Sequence, residues 1–162
     1  MRIIALAAAA LLAGAPSAFA APAQVSVTVG PELMTKAAKT YGVRDVQRLA
    51  AELRSEVEDA VARSGRHEDA RIELVLVDAK PNRPTFKQLS DTPGLSYESF
   101  GVGGAAITGR IVAADGSETP VDYRWYETDI RQAYGYWTWT DAERTFDRFA
   151  HRVARGGQLA RR

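Results

Sequence analysis

The chain predicts an α+β fold: a mixed sheet of about four strands with two amphipathic helices packed on one face. Three observations carry this. Residues 105 to 126 read as a hairpin, two stretches repeat apolar residues at helical spacing, and two shorter runs alternate like strands.

From Ala105 the odd positions read Ala105, Ile107, Gly109, Ile111 and Ala113, and the even ones Ala106, Thr108, Arg110, Val112 and Ala114. A strand sends successive side chains to opposite faces, so the odd set is expected inside and the even set partly solvated. Val121, Tyr123 and Trp125 then alternate with Asp122, Arg124 and Tyr126. Asp115-Gly116 between the runs is a hairpin signal, because glycine tolerates the positive φ of a tight turn. Pro120 has no N–H for a ladder and marks the second strand's start.

The other elements follow in order. Val25, Val27 and Val29 alternate with Ser26 and Thr28 as a short strand, stopped by Gly30-Pro31. Residues 32–41 form a weak helix ending at Gly42. The main helix follows, with Val46, Leu49, Ala50, Leu53, Val57, Ala60 and Val61 on one face, Asp45 as its N-cap and Ser64-Gly65 as its stop. Residues 71–78 form a strand with Ile72, Leu74 and Leu76 on one side and Val75 and Val77 on the other, which suits an interior place in the sheet. A helical crossover makes the first two strands parallel if they share the sheet, and the strand order is not read from the sequence. Residues 79–95 form a long connection broken by Pro81, Pro84 and Pro93, with a short turn of helix at 85–90. Thr140 and Glu143 have capping-box spacing ahead of a terminal helix whose face is Ala142, Phe146, Phe149, Ala150 and Val153. Gly156-Gly157 stops it, and residues 158–162 are expected to fray.

The first twenty residues read as a cleaved signal peptide, with Arg2, an apolar run from Ile3 to Ala13, and Ala18-Phe19-Ala20 before the cut. Residues 21–162 then form one domain. Without Arg2 the basic count falls from 21 to 20 and equals the acidic count, which argues against a nucleic-acid partner. The absence of cysteine removes disulfides, thiol nucleophiles, thiolate metal sites and lipoprotein anchoring. The expected location is the periplasm or the medium, with no membrane insertion after cleavage.

Catalytic signatures are sparse. Gly101-Val102-Gly103-Gly104 is followed by a strand rather than a helix, so close backbone packing explains it better than a phosphate loop. His67 and His151 lack metal-ligand spacing, and neither a Gly-x-Ser-x-Gly elbow nor a Ser-x-x-Lys motif occurs. No cofactor or metal is expected. Asp78, Asn82 and Arg83, together with Asp122, are the residues from which a polar cleft for a hydrolase or transferase acting on envelope material would be assembled. Turn chemistry is the plainer explanation of that group.

The aromatic segment is the least ordinary feature. Tyr123, Trp125, Tyr126, Tyr134, Tyr136, Trp137 and Trp139 crowd between positions 123 and 139. Tyr126, Tyr134, Tyr136 and Trp137 are the candidate binding residues, with Arg124 and Arg131 orienting polar groups, because flat rings bury much area at little entropic cost. The competing reading is a small second core in which Trp137 and Trp139 staple the terminal helix to the sheet. The run from Gly103 through Trp125, with Trp139-Thr140-Asp141-Ala142 and Phe149-Ala150 after it, resembles the C-terminal part of exported bacterial cell-envelope proteins of unknown function, including lipoprotein families. The resemblance covers about the last 60 residues by order of elements, and this chain lacks those families' lipid-carrying cysteine. It implies an α+β envelope domain and supplies no catalytic residue. The expectation is a non-enzymatic binding module for an envelope protein, peptide or glycan, with the envelope hydrolase or transferase as its alternative.

Overall fold

The computed structural model describes residues 21–160; the expected signal peptide lies outside them. Four strands, β1 (Gln24–Val29), β2 (Arg71–Lys80), β3 (Gly104–Val112) and β4 (Glu118–Tyr126), lie side by side in sequence order. β1 and β2 are parallel, while β2–β3 and β3–β4 are antiparallel. The parallel pair follows from its connection, since a chain leaving one end of a sheet returns to the other only by crossing over a face. The mixed four-stranded sheet of the α+β expectation is the one observed.

The crossover contains α1 (Pro31–Lys36), a π-helical turn (Ala37–Tyr41) and α2 (Val43–Ser64). α2 and the C-terminal α4 (Thr140–Arg155) pack on the same face of the sheet and against each other. Val46, Leu49, Leu53 and Val57 of α2 join Phe146, Phe149 and Val153 of α4 over Ile72, Leu76 and Ile107, all fully buried. Taking each of these side chains out of water stabilises the fold by about 1.5–3 kcal/mol. The opposite face carries Ser26, Thr28, Glu73, Thr108 and Arg110 toward solvent, and Arg110 bridges Glu73 at 2.8 Å and Glu118 at 3.1 Å. Among the described residues no helix is long and apolar enough to cross a membrane.

Four local expectations are corrected. β4 begins at Glu118 and not at Pro120, which pairs with Arg110 inside the strand. α2 begins at Val43, and Gly42, not Asp45, holds its cap position. The Gly42 N–H closes the π turn on the Ala37 carbonyl at 2.8 Å, so the chain is already wound when α2 starts. Asp45 sits in the first turn, where its charge still complements the helix dipole. Thr140 makes no capping box with Glu143: its Oγ1 accepts the Trp137 N–H at 2.9 Å, turned back toward the preceding loop. A capping box does occur on α3 (Phe86–Asp91), where Thr85 Oγ1 accepts the Gln88 N–H and Gln88 Oε1 accepts the Thr85 N–H. Finally, the segment after α4 is docked as far as residue 160. Leu159 is buried, and its carbonyl accepts the Asp122 N–H at 2.9 Å, extending a parallel bridge along the edge of β4. An apolar side chain beside an open strand edge explains why it does not fray.

Candidate functional site

Two long connections meet at one end of the sheet. Residues 81–103 leave the end of β2 and enter β3, and residues 127–139 leave β4 and enter α4; Lys80, Gly104 and Tyr126 lie side by side across the strands there. A buried polar lock joins the connections. Asn82 Nδ2 donates to Asp141 Oδ2 at 2.6 Å, and the Asp141 N–H donates to Asn82 Oδ1 at 2.9 Å. The Gly103 N–H also donates to Asp141 Oδ2, at 2.9 Å. Asn82 further donates to the Gly101 carbonyl, and its own N–H is taken by the Thr138 carbonyl at 2.7 Å. Both side chains are at most 2 % exposed, so these bonds form away from water, where an unmade one is expensive. Asp141 Oδ1 is the exception: it is buried without a hydrogen bond among the described residues, with Arg144 Nη1 at 4.0 Å.

The lock explains the glycine run. A Cβ on Gly103 would stand 2.6 Å from the Lys80 carbonyl oxygen and 2.9 Å from Asn82 Oδ1. At Gly104, with φ 148°, it would stand 2.3 Å from the Trp125 carbonyl oxygen. Close backbone approach requires these glycines, as the strand context predicts.

Arg83 completes the frame, donating from Nε to the Tyr136 carbonyl and from Nη1 to the Tyr97 carbonyl at 2.9 Å, with its guanidinium facing the Tyr97 and Phe100 rings. Phe100 meets Tyr134 edge-on at 5.9 Å between centroids. Trp139 is buried and meets Tyr41 edge-on at 5.7 Å, so it staples the terminal helix to the core. Trp137 does not: it is 75 % exposed, as Tyr134 is 78 % and Phe86 is 86 %. Among the described residues every exposed large apolar side chain, namely Phe86, Tyr97, Phe100, Ile130, Tyr134 and Trp137, lies on these two connections. Beside them a groove of about 500 Å³ opens toward the first turns of α2, lined by Arg48, Pro84, Phe86, Leu89, Tyr97 and Trp139.

The sequence-predicted binding residues divide between surfaces. Tyr134 and Trp137 stand free at this end. Tyr136 stacks under Arg144, whose guanidinium also donates to its hydroxyl. Arg131 is occupied by Asp129 in a two-pronged pair, which holds the Asp129 carboxyl below its usual range. Arg124 lies on the open face of the sheet, 3.6 Å from Asp122. Tyr126 is on that face too, donating to Asp78 Oδ2 at 2.7 Å, while Lys36 pairs with Asp78 Oδ1 at 3.3 Å. Burial first, and the Asp78 carboxylate second, push the Tyr126 phenol well above its ordinary range.

The residues of the polar-cleft alternative are likewise parted. Asp78 serves Tyr126 and Lys36, Asp122 pairs with Arg124 on the open sheet face, and Asn82 and Arg83 bind the two connections together. Phe86, Tyr97 and Phe100 belong to the exposed aromatic surface but have no periodicity in the sequence to announce them. Their only signal is that a long proline-broken connection carries aromatic residues at all. Asp141 was legible only as an acidic residue in the first turn of the last helix. No protein-family model matches the chain, and no curated protein or solved structure does either.

Proposed function

We propose that the chain is an exported, non-enzymatic binding module of the bacterial periplasm, whose ligand is an envelope protein, peptide or glycan held at the aromatic end of the sheet. The observation that carries this reading is the confinement, among the described residues, of the exposed large apolar side chains to two connections braced by Asn82, Arg83 and Asp141. Rings held on a rigid frame lose little entropy when covered, and aromatic anchors beside a groove are where binding energy concentrates. Export rests on the composition of residues 1–20 and predicts a mature protein beginning at Ala21, which the intact mass of the secreted product tests.

The binding test is capture from periplasmic extract and from sonicated envelope glycan by the tagged mature protein and by a Phe86→Ala/Tyr134→Ala/Trp137→Ala variant. The three side chains are solvated, so the variant should keep its melting temperature within about 3 °C while losing the captured ligand. Equal capture by both proteins removes the aromatic end from the reading. Turnover of envelope glycan or peptide by the pure protein would replace the binding module with the enzyme alternative.

A further inference from the structure

A second surface runs along β4. Arg144, Arg148 and Arg152 follow one another at four-residue steps on α4, and each guanidinium lies over an aromatic ring. Arg144 covers Tyr136 at 4.4 Å, Arg148 covers Trp125 at 4.4 Å, and Arg152 covers Tyr123 at 5.3 Å. Because Arg148 meets Trp125 and Arg152 meets Tyr123, helix and strand run in opposite directions. Four helical residues advance about 6 Å, and two strand residues advance about 6.6–6.8 Å, so Arg148 and Arg152 keep step with alternate residues of β4, while Arg144 lies over Tyr136 of the following connection.

Between β4, α4 and the docked C-terminal segment lies a groove of about 730 Å³, lined by Asp122, Arg124, Trp125, Arg148, Arg152 and Gln158. Three arginines face one carboxylate there, and Asp122 is paired with Arg124. Among the described residues Arg148 makes no ion pair, and Arg152 reaches only the Gln158 carbonyl at 3.5 Å. A guanidinium beside a ring keeps a planar fork of N–H donors, the group that receives a carboxylate two-pronged.

The groove borders a strand edge that already accepts an extended segment. Asp122 gives its N–H to the Leu159 carbonyl, and Ala160 bridges to it in parallel. The alternation that turns the peptide groups of Asp122 outward turns those of Arg124 and Tyr126 outward as well.

We propose that this groove binds an extended acidic peptide segment with Asp or Glu at alternate positions, added beside β4 at Arg124–Tyr126. Its backbone pairs with the strand edge, and two successive carboxylates on one face, about 6.6–6.8 Å apart, fall on Arg148 and Arg152. A block of consecutive acids places half its carboxylates on the far face of the added strand, so the order of the residues matters and not only their charge. The aromatic end is not required, so failure of this proposal and failure of the function proposed above are separable.

The test is fluorescence anisotropy with a labelled peptide of alternating Glu and Thr, an isomer with the same residues in two blocks, a polyuronate and a single-stranded oligonucleotide. The alternating peptide should bind about tenfold more tightly than its block isomer. Arg148→Gln/Arg152→Gln should weaken that binding at least about tenfold with Phe86, Tyr134 and Trp137 left in place. Amide resonances of Arg124 and Tyr126 should move on titration. Arg148→Lys, which keeps the charge and loses the fork, gives an intermediate loss and stands in if the double variant does not fold. Equal binding of the block isomer, stronger binding of the polyuronate or the oligonucleotide, or undiminished binding by either arginine variant overturns the proposal. So does the absence of binding at about 1 mM peptide.

Discussion

Asn82 shows how one side chain sets the geometry of an entire surface. Its amide donates to Asp141 Oδ2 and accepts the Asp141 N–H, while its backbone holds Gly101 and Thr138. Asn82→Ala strips a buried carboxylate of a donor and leaves a helix N–H unpaired, an expected loss of about 2–4 kcal/mol in urea unfolding. Tyr126 makes a different point. Its raised phenol pKa means that the folded state holds the proton more tightly than the unfolded chain does. The stability from its bond to Asp78 is therefore complete below about pH 10 and lost as pH rises toward the folded value. Tyr126→Phe should cost about 1 kcal/mol near neutrality, with the gap to the wild type closing above about pH 10 in pH-dependent melts. An ultraviolet titration should show one tyrosine fewer ionising at the alkaline extreme. A gap unchanged to pH 12 would sever the link to Asp78.

At the scale of elements, the crossing of α2 and α4 contains an electrostatic cost. Burial first, then the nearby Glu143 carboxylate, raises the pKa of Glu52, and Arg48 at 3.3 Å only partly offsets this. The charged form is thus disfavoured in the fold, and the favourable contribution of the proton is present below about pH 4.5 and lost as pH rises through the folded value. Glu52→Gln should raise the melting temperature at pH 7 and give no gain at pH 3. The strand that opens the domain is tied at its start: the Ala21 N–H donates to Asp69 Oδ1 at 2.7 Å, and the Asp69 N–H returns to the Ala21 carbonyl at 2.9 Å. With the proposed cleavage after Ala20, that nitrogen is an α-ammonium and the contact becomes an ion pair. Asp69→Asn should then destabilise the mature protein by about 0.5–1 kcal/mol more than an N-terminally acetylated form, measured by thermal melts. The elements themselves were readable because periods of two and 3.6 residues mark which side chains face a core. Caps were not: whether Thr140 turns toward Glu143 or back to Trp137 depends on where the incoming loop lies, and the spacing of residues does not encode that.

At the scale of the whole molecule, one face of the sheet carries both long helices and one end of it gathers both long connections. The cluster of tyrosines and tryptophans was visible in the sequence, and alternation sorted Tyr123 and Trp125 from Tyr126, but the division of residues 134–139 was not legible. Trp139 and Tyr123 went to the core, Trp125 packed half-buried against it under Arg148, and Tyr126 went to the open face, while Tyr134 and Trp137 remained solvated. Alternation assigns a face only inside a strand, and residues 127–139 are mostly irregular, so no period sorts them. Phe86, Tyr97 and Phe100 join Tyr134 and Trp137 only because the chain brings residues 81–103 beside residues 127–139. The α+β class, the hairpin and the apolar faces of the two helices follow from the sequence alone, since each is a local pattern of burial, whereas the parallel start of the sheet also required that β1 and β2 be neighbours in it. Only the tertiary structure decided which aromatic rings stay in water, which arginines line up over β4, and that Asn82 meets Asp141, since each is a meeting of segments far apart in the chain.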